Sequence, residues 1–290
     1  MSAMNPFLLP LKKLFSRINL LNGLLSVLDA QLRAVQDQIR KDVERGGGAP
    51  TIVSAHTVPV TDLEAKEPAF QGSGVFAVRD GAYIHALDEV MQRNAATTAS
   101  QAYEAFETYV KDVTGAYLHQ HQSLADTDEV TKFDANRVSK GLSRTTPEYW
   151  RAFMEFHCRG TRNNRDNEEY FRCLRRFAPD IARVENQNWR ELDLPEWYAA
   201  ASEVRHAITH ADFTIKGNRI KDWSASKKGL LVHWFPCRSD GSSGYKLTMV
   251  RKDAEENLAV FDDYARLILK SLSEKDRLEW DFFNTTPLPE

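Results

Sequence analysis

Cysteine is scarce. Cys158, Cys173 and Cys237 are the only three, an odd number at wide spacing that forms neither a disulfide framework nor a zinc pattern. A reducing, cytoplasmic setting fits that usage. Long apolar runs are missing too: nothing approaches the roughly 18 apolar residues of a membrane span. Lys12, Lys13 and Arg17 break up the apolar N-terminus, which excludes a signal-peptide core. Net charge is small, −3 over 290 residues, so affinity for nucleic acid has to come from local patches. There is no G-x-S-x-G, no Walker loop and no Rossmann glycine fingerprint, which removes nucleophile-elbow, P-loop and dinucleotide chemistry. No internal repeat is present.

What is present is ordinary globular material, 42% apolar and 27% charged, enough for one large domain or two small ones. The chain reads as mainly α in three parts. Residues 1–46 form an amphipathic, coiled-coil-like helix. Leu14, Ile18, Leu21, Leu25, Leu28, Leu32, Val35 and Ile39 follow 4-3 spacing up to Gly46-Gly47-Gly48. That row predicts either self-association or a helix folded back on its own domain. Residues 47–81 read as a linker with short strands at Thr51–Val60 and Val75–Val78. Residues 82–290 read as a helical domain. Its pieces are a short helix to Met91, a long one over Ser100–Gln122, a loop over 123–146, a Pro147 helix to Cys158, and Glu168–Phe177. A helix over Pro195–Phe213, an antiparallel β-meander at about 213–250 and a closing helix from Asp253 to Leu272 follow. In the meander, Lys216-Gly217-Asn218 and Ser239–Gly244 read as hairpin turns.

The helix over 195–213 holds the chemistry. Trp197, Ala201, Val204 and Ile208 make an apolar stripe, while Glu203, His206 and His210 fall on the opposite side with Arg205 on the flank. Two imidazoles near neutral pKa and a planar guanidinium match what metal-free RNA cleavage needs. Such cleavage requires a base for the ribose 2′-OH and a cation for the attacked phosphate. The same Glu203, His206 and His210 could instead hold a single zinc or iron ion, but a di-iron site lacks its second Glu-x-x-His. The arginine-rich run 159–176 offers Arg172, Arg175 and Arg176 on one helix face for an RNA backbone.

Arg205-His206-Ala207-Ile208-Thr209-His210 resembles the signature helix of the HEPN superfamily, R-x(4–6)-H with a polar residue after the arginine. Arg79/His85 and Arg151/His157 match the string as well, but a turn follows Arg79 and apolar Ala152 follows Arg151. Only Arg205/His210 lies late in a helical array, ahead of a meander and a closing helix, and the resemblance spans roughly residues 82–272. It implies a helical up-and-down bundle acting as a homodimer, a metal-independent endoribonuclease with no cofactor, and an active site of Arg and His from both protomers. In that reading His210 is the general base, Arg205 stabilises phosphate charge, His206 orients or shares the proton, and Glu203 supports them. Wheel geometry agrees, since Arg205 and His210 project about 140° apart on one helix. Toxin or phage-defence roles follow from the resemblance. Ala211-Asp212-Phe213 lacks the tyrosine that an antitoxin modifies in some members, so a regulatory antitoxin is an open partner. The alternative is a non-catalytic HEPN-like module that binds RNA or nucleotide, or serves as a scaffold.

Overall fold

The computed structural model describes residues 5–45, 52–54, 60–61, 68–70, 76–78, 80–136, 141–159, 169–241 and 244–280. The bundle is built on α2 (Asp80–Gln120), a single helix of 41 residues and about 60 Å. Sequence periodicity breaks near residues 92–99, yet the helix runs through. Ala95, Ala96, Ala99 and Ala102 are all buried there. Alanine is the strongest helix former, and its small side chain marks close packing rather than an interruption.

α1 (Leu8–Glu44) packs on α2 and on the last helix, α10 (Arg251–Lys275). Of the two expectations for this row, the first half meets the second, a helix folded back on its own domain: Leu14, Ile18, Leu21 and Leu25 are buried in their own chain's core. Beyond Leu25 the inward row shifts off the heptad to Asp29 and Gln36, while Leu28 and Val35 face out; of the later heptad positions Ile39 is buried. A straight helix of 3.6 residues per turn drifts off a strict heptad by about 20° each repeat, which accounts for the change. Gln36 donates to the Ile84 carbonyl at 3.2 Å and to Asp88 at 2.7 Å, tying α1 to the start of α2. An outward row of Leu20, Leu24, Val27 and Leu28 remains, each at least 43% exposed.

α3 (Thr127–Ala135) is capped by Asp126, which accepts from the N–H groups of Asp128 and Glu129, in a stretch read as loop. α4 (Pro147–Arg159) begins at its proline as expected, and α5 (Glu169–Phe177) and α6 (Asp180–Glu185) follow. α4 crosses α2 at Gly115, where an added Cβ would lie 2.9–3.0 Å from Arg151 backbone and Cβ atoms. Overpacking costs about 1–3 kcal/mol, and replacing a helical glycine returns about 1 kcal/mol. Gly115→Ala is thus expected to lose about 1 kcal/mol net, seen as a lower urea midpoint at unchanged slope; a raised midpoint contradicts the close crossing. Cys158 and Cys173 meet across α4 and α5 as free thiols with sulfurs 2.9 Å apart. The hydrogen bond between them raises the Cys158 pKa and lowers that of Cys173.

α7 (Leu194–His210) is followed by β5 (Thr214–Lys216), α8 (Gly217–Ile220), α9 (Ala225–Trp234), β6 (Cys237–Ser239) and β7 (Gly244–Leu247). The antiparallel sheet is real but smaller than expected. Its order is β5-β7-β6, with Ile215 opposite Tyr245 and Arg238 opposite Lys246. Lys216-Gly217-Asn218 is not a hairpin turn, because Gly217 begins α8. Leu230–Phe235 is not a strand: Ser224 caps α9 by accepting from Lys227 N–H at 3.1 Å. Leu230, Leu231, Trp234 and Phe235 recur at i, i+1, i+4 and i+5, which is helical spacing. In the region read as a linker, β1 (Ile52–Ser54) pairs antiparallel with β4 (Phe76–Val78), and β2 (Val60–Thr61) with β3 (Pro68–Phe70). Among the described residues no helix is long and apolar enough to cross a membrane.

Candidate functional site

α7 is positioned by its apolar face. Asp193 caps it, accepting from Glu196 N–H at 2.9 Å, and Pro195 occupies the first turn, where a missing N–H costs nothing. Trp197 meets the edge of Phe261 on α10 at 4.7 Å, and Tyr198 stacks on Tyr103 of α2 at 4.9 Å. Trp197, Ala200, Ala201, Val204 and Ala207 are buried. Rotation of the helix is thereby set, and the opposite face is left to solvent.

The helix ends three residues short of the expected Phe213. Asp212 and Phe213 both take left-handed backbone angles, φ 46° and 63°, a conformation costly for a bulky aromatic residue. Arg93 of α2 braces the corner. It pairs with Asp212 at 3.1 Å and lies over the Phe213 ring at 4.7 Å. The Phe213 N–H donates to the Ala207 carbonyl, and the Phe213 carbonyl accepts from Leu247 N–H. His210 is thus held directly before a constrained turn into the sheet.

On the outer face His206 and His210 are neighbours, with ring centroids 5.0 Å apart. The His206 pKa is lowered below 6.5, first by partial burial and then by the positive charge of Arg219. Its imidazole is therefore neutral, and able to accept a proton, near pH 7. Glu203 does not support the histidines by hydrogen bonding. It takes a forked contact from Arg219 of α8, Nε to Oε2 at 2.5 Å and Nη2 to Oε1 at 2.8 Å. Arg219 is the site residue that sequence reasoning missed, because its stretch read as a strand.

Arg205 points the other way. Its Nε meets Glu104 of α2 at 3.3 Å, with the two side chains 31% and 53% exposed. A long, exposed pair of this kind is worth less than about 1 kcal/mol, so a phosphate can displace the carboxylate. Glu104 also lines a groove of about 300 Å³ between α1 and α2 that holds Lys13 and Arg17. One chain therefore brings His206 and His210 together and turns Arg205 toward the α2 side.

The three arginines read as RNA contacts do not share one exposed face. Arg175 turns inward to Glu185, with Nε to Oε2 at 2.8 Å and Nη2 to Oε1 at 3.1 Å. The helix buries Phe171, Leu174 and Phe177, and Arg175 lies beside that stripe. Arg172 pairs with Glu169 at 3.3 Å, and Arg176 reaches His157 at 3.2 Å; both remain about half exposed. The run at 160–168 lies outside the described residues.

Among the described residues no group of three or more His, Cys, Asp or Glu side chains is arranged to hold a metal ion. In comparison with protein-family models, curated proteins and solved structures, the chain matches none.

Proposed function

We propose that this chain is a metal-independent endoribonuclease of HEPN type, acting in the cytoplasm as a homodimer whose active site takes Arg205 and His210 from two copies. The observation that carries the reading is the R-H-A-I-T-H face of α7. It presents two adjacent imidazoles and a weakly tethered arginine on a helix locked by its buried side. In the proposed reaction His210 takes the proton of a ribose 2′-OH, and the freed oxygen attacks the neighbouring phosphorus. Arg205 of the other copy stabilises the added charge on the phosphate. The bond from phosphorus to the 5′-oxygen breaks, leaving a 2′,3′-cyclic phosphate, and a protonated imidazole returns the proton to that oxygen. His206, neutral at pH 7, shares the proton with His210. Self-association is also supported by the outward α1 row of Leu20, Leu24, Val27 and Leu28, since contiguous exposed apolar side chains mark interaction surfaces. An effector that degrades RNA, as a toxin or in phage defence, is the setting this chemistry suits.

The test is cleavage of labelled RNA in EDTA. His210→Ala and Arg205→Ala are each expected to slow it by about 100-fold or more, the range for losing a general base or a charge-stabilising donor. Mixing the two inactive variants is expected to restore part of the rate through mixed dimers. No cleavage by the unaltered protein, or equal rates for His210→Ala, sinks the proposal. Salt-sensitive RNA binding without products then favours a non-catalytic binding module.

A further inference from the structure

Trp189, in the loop between α6 and α7, is 77% exposed, more than any other large apolar side chain among the described residues. Leaving an indole in water forgoes the stabilisation that burial of so large an apolar side chain usually supplies. The loop is nevertheless built to hold it there. Asn188 donates to the carbonyls of Glu185 and Leu192 at 2.8 and 2.6 Å, and accepts from the N–H groups of Arg190 and Leu192 at 3.1 and 3.2 Å. Glu191 adopts φ 53° to complete the turn. Arg190 then ties the loop to α10 through Asp263, Nε to Oδ2 at 2.7 Å, while its guanidinium covers one face of Trp189 at 4.5 Å. A rigid, outward aromatic ring with little rotamer entropy left to lose is what a recognition surface uses.

Trp189 walls a cleft of about 350 Å³, with Trp280 also lining it and Leu267 contributing apolar surface. Arg190, Arg266, Lys270 and Asp263 line the same cleft; Arg190 is taken up by Asp263, and Lys270 Nζ lies 3.8 Å from Glu274 in an exposed, long pair. Lys270 Nζ sits 4.9 Å from the Trp280 ring centroid. Aromatic walls select a flat ligand, and with Arg190 and Asp263 cancelling each other the remaining basic lining of Arg266 and Lys270 favours an anionic one. The volume is at the small end for ligand sites, suited to one nucleoside and too small for a duplex.

We propose that this cleft takes one unpaired RNA base, stacked on the open face of Trp189, with its phosphate near Lys270 and Arg266. Indole stacks on any base, so such a clamp grips single strands with little regard to sequence. Leu194, at the start of α7, also lines the cleft, and Arg205 lies eleven residues on, about 16 Å along the helix. A strand held here would therefore be gripped a few nucleotides from the proposed cleavage site. The choice of RNA rests on the ribonuclease reading; the cleft's preference for a planar anion does not.

The experiment is fluorescence anisotropy with labelled heptameric oligoadenylate and an abasic heptamer of the same backbone, in the full-length His210→Ala variant so that RNA is not consumed. Trp189→Ala is expected to weaken oligoadenylate binding by about 10-fold or more, from a stacking term of about 1–3 kcal/mol per base. Trp189→Phe is expected to restore most of it, and the abasic strand to bind weakly and to ignore Trp189→Ala. Lys270→Ala is expected to reduce the salt dependence by about one phosphate contact. Equal binding of both strands, or no effect of Trp189→Ala, overturns the proposal. The two readings fail separately. Trp189-dependent binding by a chain whose unaltered form never cleaves RNA keeps the cleft and rejects the nuclease. Arg205-dependent cleavage with binding indifferent to Trp189 does the reverse.

Discussion

Glu185→Ala is expected to destabilise the protein by about 3–5 kcal/mol, the cost of breaking one side of a buried ion pair. Glu185 is 1% exposed, receives the fork of Arg175, and accepts a short hydrogen bond from the Tyr264 hydroxyl. Removing the carboxylate strands a largely buried guanidinium and a fully buried phenol together. The phenol loses the acceptor of its hydrogen bond, and its pKa is already well above the usual 10, chiefly through burial. Urea denaturation at pH 7 measures the loss. Arg175→Met combined with Glu185→Leu is expected to recover most of it, since replacing both partners with apolar side chains avoids the orphaned charge. A loss below about 0.5 kcal/mol for Glu185→Ala is incompatible with the pair as described.

Asp262→Asn is expected to act in the opposite direction and to do so only above acid pH. Asp262 lies on α10 with one carboxylate oxygen buried and without a hydrogen-bond partner among the described residues. Its pKa is pushed up to about 7, first by burial and then by the charge of Asp263, with Arg266 opposing. Because the folded-state pKa lies above the unfolded value of about 4, the folded protein holds the proton more tightly. Stability from this group is complete below about pH 4, falls as pH rises toward 7, and stays low above that. The total is on the order of 3–4 kcal/mol. Asparagine keeps the shape without the titration, so the variant is expected to be more stable at pH 8 by a few kcal/mol and to lose this part of the pH slope. Guanidinium unfolding at pH 5 and pH 8 makes the comparison, and an unchanged difference between the two pH values rules the account out.

The legible parts of the fold are those with local causes. Pro147 marked the start of α4 and Pro195 lay in the first turn of α7, whose apolar row gave its inward face; the Asp193 cap of α7 emerged only from the structure. Asp253, where the closing helix was expected to begin, lies within its first turn and accepts from Val250 N–H at 2.7 Å. Short elements were harder. α9 contains Leu, Val, His and Trp in a run that also suits a strand, and only the Ser224 cap and the i, i+4 pairs separate the two readings. α2 was read as two helices because buried alanines carry little hydropathy, although they are the residues that let neighbours approach.

For the candidate site, the sequence by itself determined which residue types lie on the polar side of α7: Glu203, Arg205, His206 and His210 follow from a 3.6-residue period that no neighbour can alter. It also determined that Arg205 and His210 diverge along one helix. Partners were decided only by the tertiary structure. Glu203 goes to Arg219, Arg205 to Glu104 and Arg175 to Glu185, each across 10 to 101 residues of chain. The direction of the Leu14–Leu25 row was decided the same way. Spacing specifies that a helix has an apolar face, but the surface covering that face depends on which other faces compete for it. In this chain α2 and α10 cover the first half of the row, and the leucines left outside are a different set. Helical period is a property of the backbone and can be read locally; pairing depends on distances between segments remote in sequence.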